Sequence, residues 1–246
     1  DIQFPEGTDG LWRALFKPCA CQRLFIPDLL TDVDALIYVD TDVIFLTPPE
    51  KLWQHFSLFN KSHIAALAPE TEDAQTNWYV RFARHPFYRP LGVNSGVMLM
   101  NLTRMRQFKW GSFLWPLYQK YRYNITWGDQ DIINIIFSMN PKRLYVYGCE
   151  WNFRPDHCMY TSTCKAAENG GAMVLHGSRG YFHKEDKQPA FLTAYQTLRS
   201  FPLSSSSVCL KFLPTLDRKL SLLPPTSNCA KVHEIFLHSL RSYCER

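Results

Sequence analysis

Two aspartates follow a run of five apolar residues in the stretch Ala35-Leu36-Ile37-Tyr38-Val39-Asp40-Thr41-Asp42. Such a run is typical of a strand that is buried on both faces. Side chains two positions apart on an extended chain point to the same side, so Asp40 and Asp42 would repel each other unless a cation lay between them. In open α/β sheets, ligands bind beyond the carboxyl ends of the strands. The stretch therefore favours an α/β fold with a divalent-metal site over a surface turn carrying two solvated aspartates.

The composition is that of a folded chain with one substantial core. The 246 residues are 46% hydrophobic and 15% aromatic, which is enough to bury one sizeable domain. The net charge of +5 is mild, and the lysines and arginines are dispersed along the chain. A nucleic-acid partner is therefore not indicated, whereas a small anionic substrate such as a nucleotide diphosphate suits this charge.

Cysteines and glycosylation sequons point to one cellular compartment. The chain has eight cysteines without the spacing of a zinc site, and their pairing cannot be read from the sequence. Sequons begin at Asn60, Asn101 and Asn124. Together these features favour the lumen of the secretory pathway, where disulfides persist. The chain starts at Asp1 without a signal peptide or a long apolar run, so we expect a mature or truncated product whose targeting segment lay upstream.

Strand and helix patterns alternate along the rest of the chain. Apolar runs predict further strands at 63–68, 93–100, 144–147 and 172–176, and helices at 12–30, 52–59, 129–137, 189–201 and 232–243. Residues 204–207 are four serines and indicate a linker before the last helix. This order predicts one α/β domain followed by a helical appendage.

Polar residues interrupt or begin several of these elements. Asn94-Ser95-Gly96 lies inside a strand, where small residues indicate either a bulge or a close approach by a ligand. Asp129 and Asp131 begin a helix, where acidic residues stabilise the N-terminus by about 0.3–1 kcal/mol without any chemistry. The loop 148–171 mixes aromatic and charged residues with three cysteines, and either lines an acceptor site or is pinned by a disulfide. The residues alone leave these alternatives open.

His176 ends a predicted strand and extends the metal hypothesis. A lone histidine is most often an ordinary half-buried residue. Beside Asp40 and Asp42, however, its imidazole would complete a ligand set that suits Mn²⁺ or another borderline divalent ion. Three cations follow closely and could neutralise a diphosphate: Arg179, Lys184 and Lys187.

Several motifs, in this order and spacing, resemble glycosyltransferase family 8, whose members are retaining sugar transferases with a GT-A fold. The motifs are Tyr38-Val39-Asp40-Thr41-Asp42, Asn94-Ser95-Gly96, Trp127-Gly128-Asp129-Gln130-Asp131 and His176-Gly177. Longer stretches look like the animal glucoside xylosyltransferases of that family, at 82–86, 92–101, 124–131, 151–158 and 186–191. The resemblance runs from about residue 15 to residue 201 and is weak beyond it.

The fold implied by this resemblance is a Rossmann-like mixed sheet flanked by helices, in a single domain with a C-terminal helical appendage. Residues 1–201 would form the catalytic domain and residues 202–246 the linker and appendage. In the family an initial strand-helix-strand segment precedes the region corresponding to Leu11 and supplies much of the uridine pocket. We therefore expect a catalytic domain that is incomplete at its N-terminus.

The activity implied by the resemblance is transfer of xylose from UDP-xylose, with retention of configuration, to O-linked glucose on EGF-like repeats such as those of Notch. The enzyme would depend on Mn²⁺ and act in the lumen of the endoplasmic reticulum or Golgi, as a type II membrane protein in full length. The alternatives are a related transferase that uses UDP-glucose or UDP-galactose, and an EGF-repeat-binding domain with impaired catalysis. A haloacid-dehalogenase-type phosphatase would leave the sequons, the cysteines and the His176 motif unexplained.

Site roles carry over from the family motif by motif. The metal ligands would be Asp40, Asp42 and His176. Asn94 and Gln130 would contact the donor sugar, Lys187 would meet the diphosphate in competition with Lys184, and the catalytic candidates are Gln130, Asp129 and Asp131. The whole donor- and metal-binding set is Arg23, Tyr38, Val39, Asp40, Thr41, Asp42, Asn94, Ser95, Gly96, His176, Gly177 and Lys187.

Overall fold

The described residues form two compact units, each with its own hydrophobic core. The computed structural model describes Gly10 and residues 21–184, 187–202 and 207–245. The first unit contains the described residues up to Tyr38 together with His55–Tyr147. The second unit contains Val39–Gln54 and the described residues from Gly148 onwards.

The strands of the described residues form two sheets. They are β1 (Ala35–Val39), β2 (Val43–Phe45), β3 (Ala65–Pro69), β4 (Val93–Asn101), β5 (Leu144–Val146) and β6 (Val174–His176). The larger sheet has the order β1-β4-β3-β5, and the smaller one pairs β2 with β6. Because β3 runs antiparallel to β4 and parallel to β5, the larger sheet is mixed, which confirms the predicted fold class.

Helices occupy most of the remaining described chain. They are α1 (Gln22–Leu29), α2 (Pro49–Trp53), α3 (Trp78–Phe82), α4 (Leu102–Gln107), α5 (Gly111–Tyr121), α6 (Asp129–Met139), α7 (Lys165–Gly170), α8 (Pro189–Arg199), α9 (Leu213–Ser221), α10 (Asn228–Lys231) and α11 (His238–Cys244). None of the described helices is both long enough and apolar enough to cross a bilayer. Short 3₁₀ turns lie at Gln54–Leu58, Pro141–Arg143, Cys149–Asn152, Pro155–His157, Ser178–Gly180 and His233–Phe236, and a π-helical turn at Val208–Phe212 precedes α9.

A bulge interrupts β4 at the Asn94-Ser95-Gly96 motif. Leu67 of β3 pairs with Met98, but the next residue of β3 pairs with Asn94. The Asn94 side chain closes the bulge by accepting a hydrogen bond from the Gly96 amide at 2.9 Å. Small residues suit this departure from the regular ladder. The bulge interpretation of the motif is therefore confirmed.

The helix α6 lies at the centre of the first unit's core. Its apolar residues between Ile132 and Phe137 are all fully buried. A helix that is apolar around most of its circumference must be enclosed by other elements, and α6 packs against β4 and α5. This burial fixes the first turn of α6, with Asp129, Gln130 and Asp131, close to β4.

Disulfides cross-link the second unit and settle the cysteine pairing there. The bridges of the described residues are Cys149–Cys164, Cys158–Cys229 and Cys209–Cys244. The loop 148–171 is thus pinned by two of them, as one of the two interpretations held. Residues on both sides of position 201 lie in the second unit, and the Cys158–Cys229 bridge joins them. The boundary predicted at residue 201 stays a prediction.

Two predicted helices differ from the observed elements at the chain ends. The predicted helix at 12–30 lies partly outside the described residues, and its described part is α1, which contains Pro27. The predicted amphipathic helix at 232–243 is divided at Leu237 into a 3₁₀ turn and α11. Of the serine linker, only Ser207 is described.

His157 is a buried histidine that supports the second unit. Its side chain is fully enclosed, and its Nδ1 atom accepts a hydrogen bond from the backbone amide of Arg154 at 3.0 Å. Burial, followed by the charge of Arg154, lowers the pKa of His157 to about 3. The folded chain therefore keeps this imidazole neutral across the physiological range.

We expect this histidine to make the free energy of unfolding depend on pH. Below an ordinary histidine pKa of about 6.5, the unfolded chain takes up a proton that the folded chain does not bind, so stability falls as the pH falls. Between pH 7 and pH 5 the loss is about 2 kcal/mol. Urea unfolding of His157→Gln, measured in EDTA, should show a flatter pH dependence, whereas His238→Gln, at an exposed position, should behave as the wild type. Equal slopes for His157→Gln and the wild type would contradict the prediction.

Candidate functional site

Asp40, Asp42 and His176 converge in the second unit. His176 Nε2 lies 3.6 Å from Asp40 Oδ2 and 3.4 Å from Asp42 Oδ1. One potential ligand atom from each of the three residues lies within 4.8 Å of the other two. The imidazole is buried, whereas the two carboxylates keep 29% and 31% of their side-chain surface exposed. The three predicted metal ligands are thus brought together with an open side toward solvent.

The pairing of β2 with β6 brings these three residues together. Val43, the first residue of β2, lies opposite His176, the last residue of β6, in an antiparallel register. The Gly177 amide then donates a hydrogen bond to the Asp42 carbonyl at 2.8 Å. The position also requires a glycine, because a Cβ there would collide with the ring of Phe182. The turn that carries the aspartates is therefore tied directly to the end of the histidine strand.

Asn152 fixes the orientation of the His176 ring. The Asn152 side-chain oxygen lies 2.9 Å from His176 Nδ1, and an amide oxygen can only accept a hydrogen bond. Nδ1 therefore donates to Asn152, and Nε2 is the ring nitrogen that faces the two carboxylates. An outer partner of this kind orients a metal-binding histidine and fixes its tautomer.

The chemistry of this donor set fits a divalent cation. Burial by itself would raise the pKa of Asp42, but the hydrogen bond and charge of His176 lower it overall, so this carboxyl is ionised at neutral pH. Two carboxylates and one imidazole suit Mn²⁺, Zn²⁺ or a similar ion. A second group of possible ligands, Cys149, Glu150 and Cys164, does not qualify because its cysteines form a disulfide.

A second polar cluster lies in the first unit, around Gln130. Ser95 donates its backbone amide to Gln130 Oε1 at 3.1 Å, and Gln130 Nε2 donates to Glu70 Oε2 at 3.1 Å. Asn94 donates its side-chain amide to the same Glu70 oxygen at 3.0 Å. The bulge in β4 and the first turn of α6 thus place Asn94 and Gln130 around one carboxylate, that of Glu70.

Arg23 and Asp129 form a buried ion pair in the same unit. Arg23 Nε lies 2.7 Å from Asp129 Oδ2, and the two side chains are 3% and 7% exposed. Arg23 also donates to the Ser95 carbonyl, and its guanidinium lies 4.3 Å from the centre of the Tyr38 ring. The predicted Arg23, Tyr38 and Asp129 are therefore neighbours.

Asp131 occupies an interior position. It is fully buried, and its Oδ2 atom accepts hydrogen bonds from the backbone amides of Thr126 at 2.7 Å and Trp127 at 2.8 Å. The same oxygen lies 3.3 Å from His85 Nε2, while Oδ1 accepts from the Tyr79 hydroxyl at 2.8 Å. Its hydrogen-bonding capacity is thus used largely within the protein. The catalytic role predicted for Asp131 stays a prediction.

The remaining predicted residues are more exposed and differ in their contacts. Val39 and Thr41 lie at the surface beside Asp40. Lys187 is exposed, and Lys184 donates to the Arg179 carbonyl at 2.9 Å. Arg179 itself is bonded to Asp156 through two contacts of 2.6 and 2.7 Å. Its charge is thus already compensated, which makes Arg179 a weaker diphosphate ligand than the sequence predicts.

Sequence reasoning missed three residues of these clusters: Glu70, Tyr79 and Asn152. Glu70 directly follows β3, just as Asp40 follows β1, so the rule that found the aspartates was sufficient to find it. Tyr79 lies in a short helix and Asn152 in a 3₁₀ turn. No periodic pattern marks either of them.

Comparison with known proteins identifies the family of this chain. The sequence profile of glycosyl transferase family 8 matches residues 16–176, which is more than half of the 246 residues. The chain belongs to glycosyl transferase family 8. Asp40, Asp42 and His176 all lie inside the matched segment. Membership excludes the dehalogenase-type phosphatase.

Two relatives and one solved structure show how far this family likeness extends. Glucoside xylosyltransferase 1 of Mus musculus is 50% identical over 250 residues, which are 97% of this chain and 61% of that protein. Glucoside xylosyltransferase 1 of Danio rerio is 54% identical over 211 residues, 81% of this chain and 52% of that protein. This family 8 chain thus spans only part of the length of these curated relatives. The galactosyltransferase LgtC, solved with donor and acceptor sugar analogues, is 18% identical with a TM-score of 0.53 over 91% of this chain and 73% of its own, and supports the GT-A fold.

We expect Asn152→Ala to weaken the binding of Mn²⁺ by about 10- to 100-fold, because loss of the outer partner frees the His176 ring and its tautomer. Isothermal titration calorimetry with Mn²⁺ measures the affinity directly and needs no activity. Asn152→Asp keeps the accepting oxygen and should retain most of the affinity. Asn140→Ala, in the first unit, is the matched control. Wild-type affinity in Asn152→Ala would show that Asn152 does not support the centre.

Proposed function

We propose that this chain is a retaining glycosyltransferase that moves xylose from UDP-xylose to O-linked glucose on EGF-like repeats. The observation that carries the proposal is the convergence of Asp40, Asp42 and His176 at the end of a strand pair, in a chain about half identical to proteins named glucoside xylosyltransferase. The charged ligand set suits a diphosphate-bridging cation.

The three ligands would hold Mn²⁺ through Asp40, Asp42 and the Nε2 atom of His176. The bound ion would stabilise the negative charge that develops on the leaving UDP diphosphate. Asn152 keeps the His176 lone pair directed at the ion, and the exposed sides of the two carboxylates leave room for diphosphate oxygens. Lys187 remains the candidate for a further charge contact, because it is exposed while Lys184 is engaged.

The polar cluster of the first unit would contact the sugar hydroxyls. Asn94, Glu70 and Gln130 supply amide and carboxylate groups in fixed directions, which is what recognition of a polyol needs. Asp129 is held by the buried ion pair with Arg23, and its carboxylate oxygens can accept hydrogen bonds. We assign Asp129 and Gln130 as the catalytic candidates and name no covalent nucleophile.

Disulfides support a reaction in the lumen of the secretory pathway, and we propose the endoplasmic reticulum or Golgi. A type II membrane protein is the full-length form that we propose. The acceptor would be a glycoprotein whose EGF-like repeats carry O-linked glucose.

The decisive experiment offers radiolabelled UDP-xylose, and separately UDP-glucose and UDP-galactose, with an O-glucosylated EGF repeat. Transfer from UDP-xylose that disappears in EDTA and returns with Mn²⁺ is the expected result. Preferred transfer from another donor would change the donor sugar that we propose but not the type of reaction. Binding of the EGF repeat without transfer of any sugar would overturn the enzymatic function.

We expect Asp42→Asn to reduce turnover by at least about 1,000-fold, since it removes a charged metal ligand and with it several kcal/mol of charge stabilisation. The matched control is Asp32→Asn, which changes an exposed carboxyl outside the cluster. Initial rates with saturating UDP-xylose and Mn²⁺ measure both variants. Unchanged turnover in Asp42→Asn would refute the metal assignment.

A further inference from the structure

Tyr79 places a single hydroxyl at the centre of the polar cluster in the first unit. Its side chain is 1% exposed. The hydroxyl lies 2.8 Å from Asp131 Oδ1, 3.1 Å from Gln130 Nε2 and 3.0 Å from Asn134 Nδ2. One buried group thus links two residues of the family motif at 127–131 to the next turn of α6.

The direction of these hydrogen bonds follows from the chemistry of the partners. The two amide nitrogens can only donate, so the Tyr79 oxygen accepts from both, and its single proton goes to the Asp131 carboxylate. Burial, with the charge of Asp131, raises the pKa of Tyr79 well above its usual value. The hydroxyl therefore keeps its proton, and Asp131 holds that proton away from Gln130.

The ring of Tyr79 is held firmly by its surroundings. Gly92 has a backbone φ of +70°, and any Cβ at that position would collide with the ring. The rings of Trp78 and Phe87 lie 5.2 and 5.4 Å from it, measured between centroids. The Tyr79 side chain is thus held in one rotamer, which keeps its hydroxyl oxygen in a fixed position as an acceptor.

Gln130 is consequently clamped at both ends of its amide. Its Nε2 atom donates one hydrogen to Tyr79 and one to Glu70. Its Oε1 atom accepts from the Ser95 backbone amide at 3.1 Å and from the Ser95 hydroxyl at 3.4 Å. An amide held in this way cannot exchange its oxygen and nitrogen, so the direction of both its polar atoms is fixed.

We propose that Tyr79 is a positioning residue, which acts through Gln130 by fixing the orientation of its side-chain amide toward the donor sugar. The inference rests on the proposed sugar transfer. Tyr79 itself is enclosed and touches no substrate. Asp131 supports it by accepting the hydroxyl proton at Oδ1, while His85 lies 3.3 Å from the other oxygen of Asp131.

Tyr79→Phe removes the hydroxyl and keeps the ring. We expect kcat to fall by about 10- to 100-fold, the effect of a misplaced catalytic group, with less than about a threefold change in KM for UDP-xylose. In a Gln130→Ala background, Tyr79→Phe should reduce kcat by less than about twofold further, because residues that act as a unit are not additive. Tyr88→Phe removes a hydroxyl from a half-buried ring outside the cluster and should leave kcat unchanged.

Full additivity of Tyr79→Phe and Gln130→Ala would overturn the proposal, since Tyr79 would then act independently of Gln130. A second test measures the wild-type chain and needs no activity. The Gln130 side-chain amide hydrogens, assigned by NMR through their loss in Gln130→Ala, should exchange with solvent at least about 100-fold more slowly than those of exposed Gln107. Equal exchange rates would also overturn the clamp. Absence of sugar transfer by the wild type, with slow exchange retained, would instead refute the proposed function alone.

Discussion

The candidate metal centre depends on the antiparallel pairing of two strands that are three residues long. A two-stranded sheet of this size is marginal on its own, so its register must be set by the surrounding structure. Buried Ile44 and Leu175 lie opposite each other in the pair, and the Leu46 amide extends the ladder to the Met173 carbonyl. A slip of one residue would turn His176 to the other face. The same apolar packing that stabilises the pair therefore also determines the ligand geometry.

The polar cluster in the first unit follows a different rule, because its groups are buried and must satisfy one another. Asp131 has no exposed surface, yet each of its oxygens has at least one donor. An interior carboxylate without such donors would be costly to fold, whereas a fully satisfied network makes the site rigid. Rigidity is useful here because Gln130, one position earlier on α6, stands beside it. The buried carboxylate of Asp131 thus helps to hold the partly exposed amide of Gln130 in place.

The sequence predicts those candidate residues of each unit that end or closely follow an apolar strand. Asp40, Asp42 and His176 in the second unit obey this rule, and Glu70 in the first unit obeys it as well. The rule does not find supporting residues that lie in irregular or short elements. Asn152 comes from a 3₁₀ turn, and only the folded chain shows that its oxygen meets His176. The cysteine pairing could not be predicted for the same reason, since spacing along the chain carries no information on distances in space.

The buried pair of Arg23 and Asp129 is difficult to explain by stability. Removing two charges from water costs about as much as their attraction returns, and apolar residues of the same volume would often stabilise the fold equally well. The Arg23 guanidinium nevertheless also donates to the Ser95 carbonyl and lies over the face of the Tyr38 ring. Such a surrounding fixes the direction of the Arg23 donors and of the Asp129 carboxylate at once. Recognition of a ligand through hydrogen bonds in fixed directions needs this rigidity, so the unfavourable desolvation is better understood as a requirement of the proposed binding site than of folding.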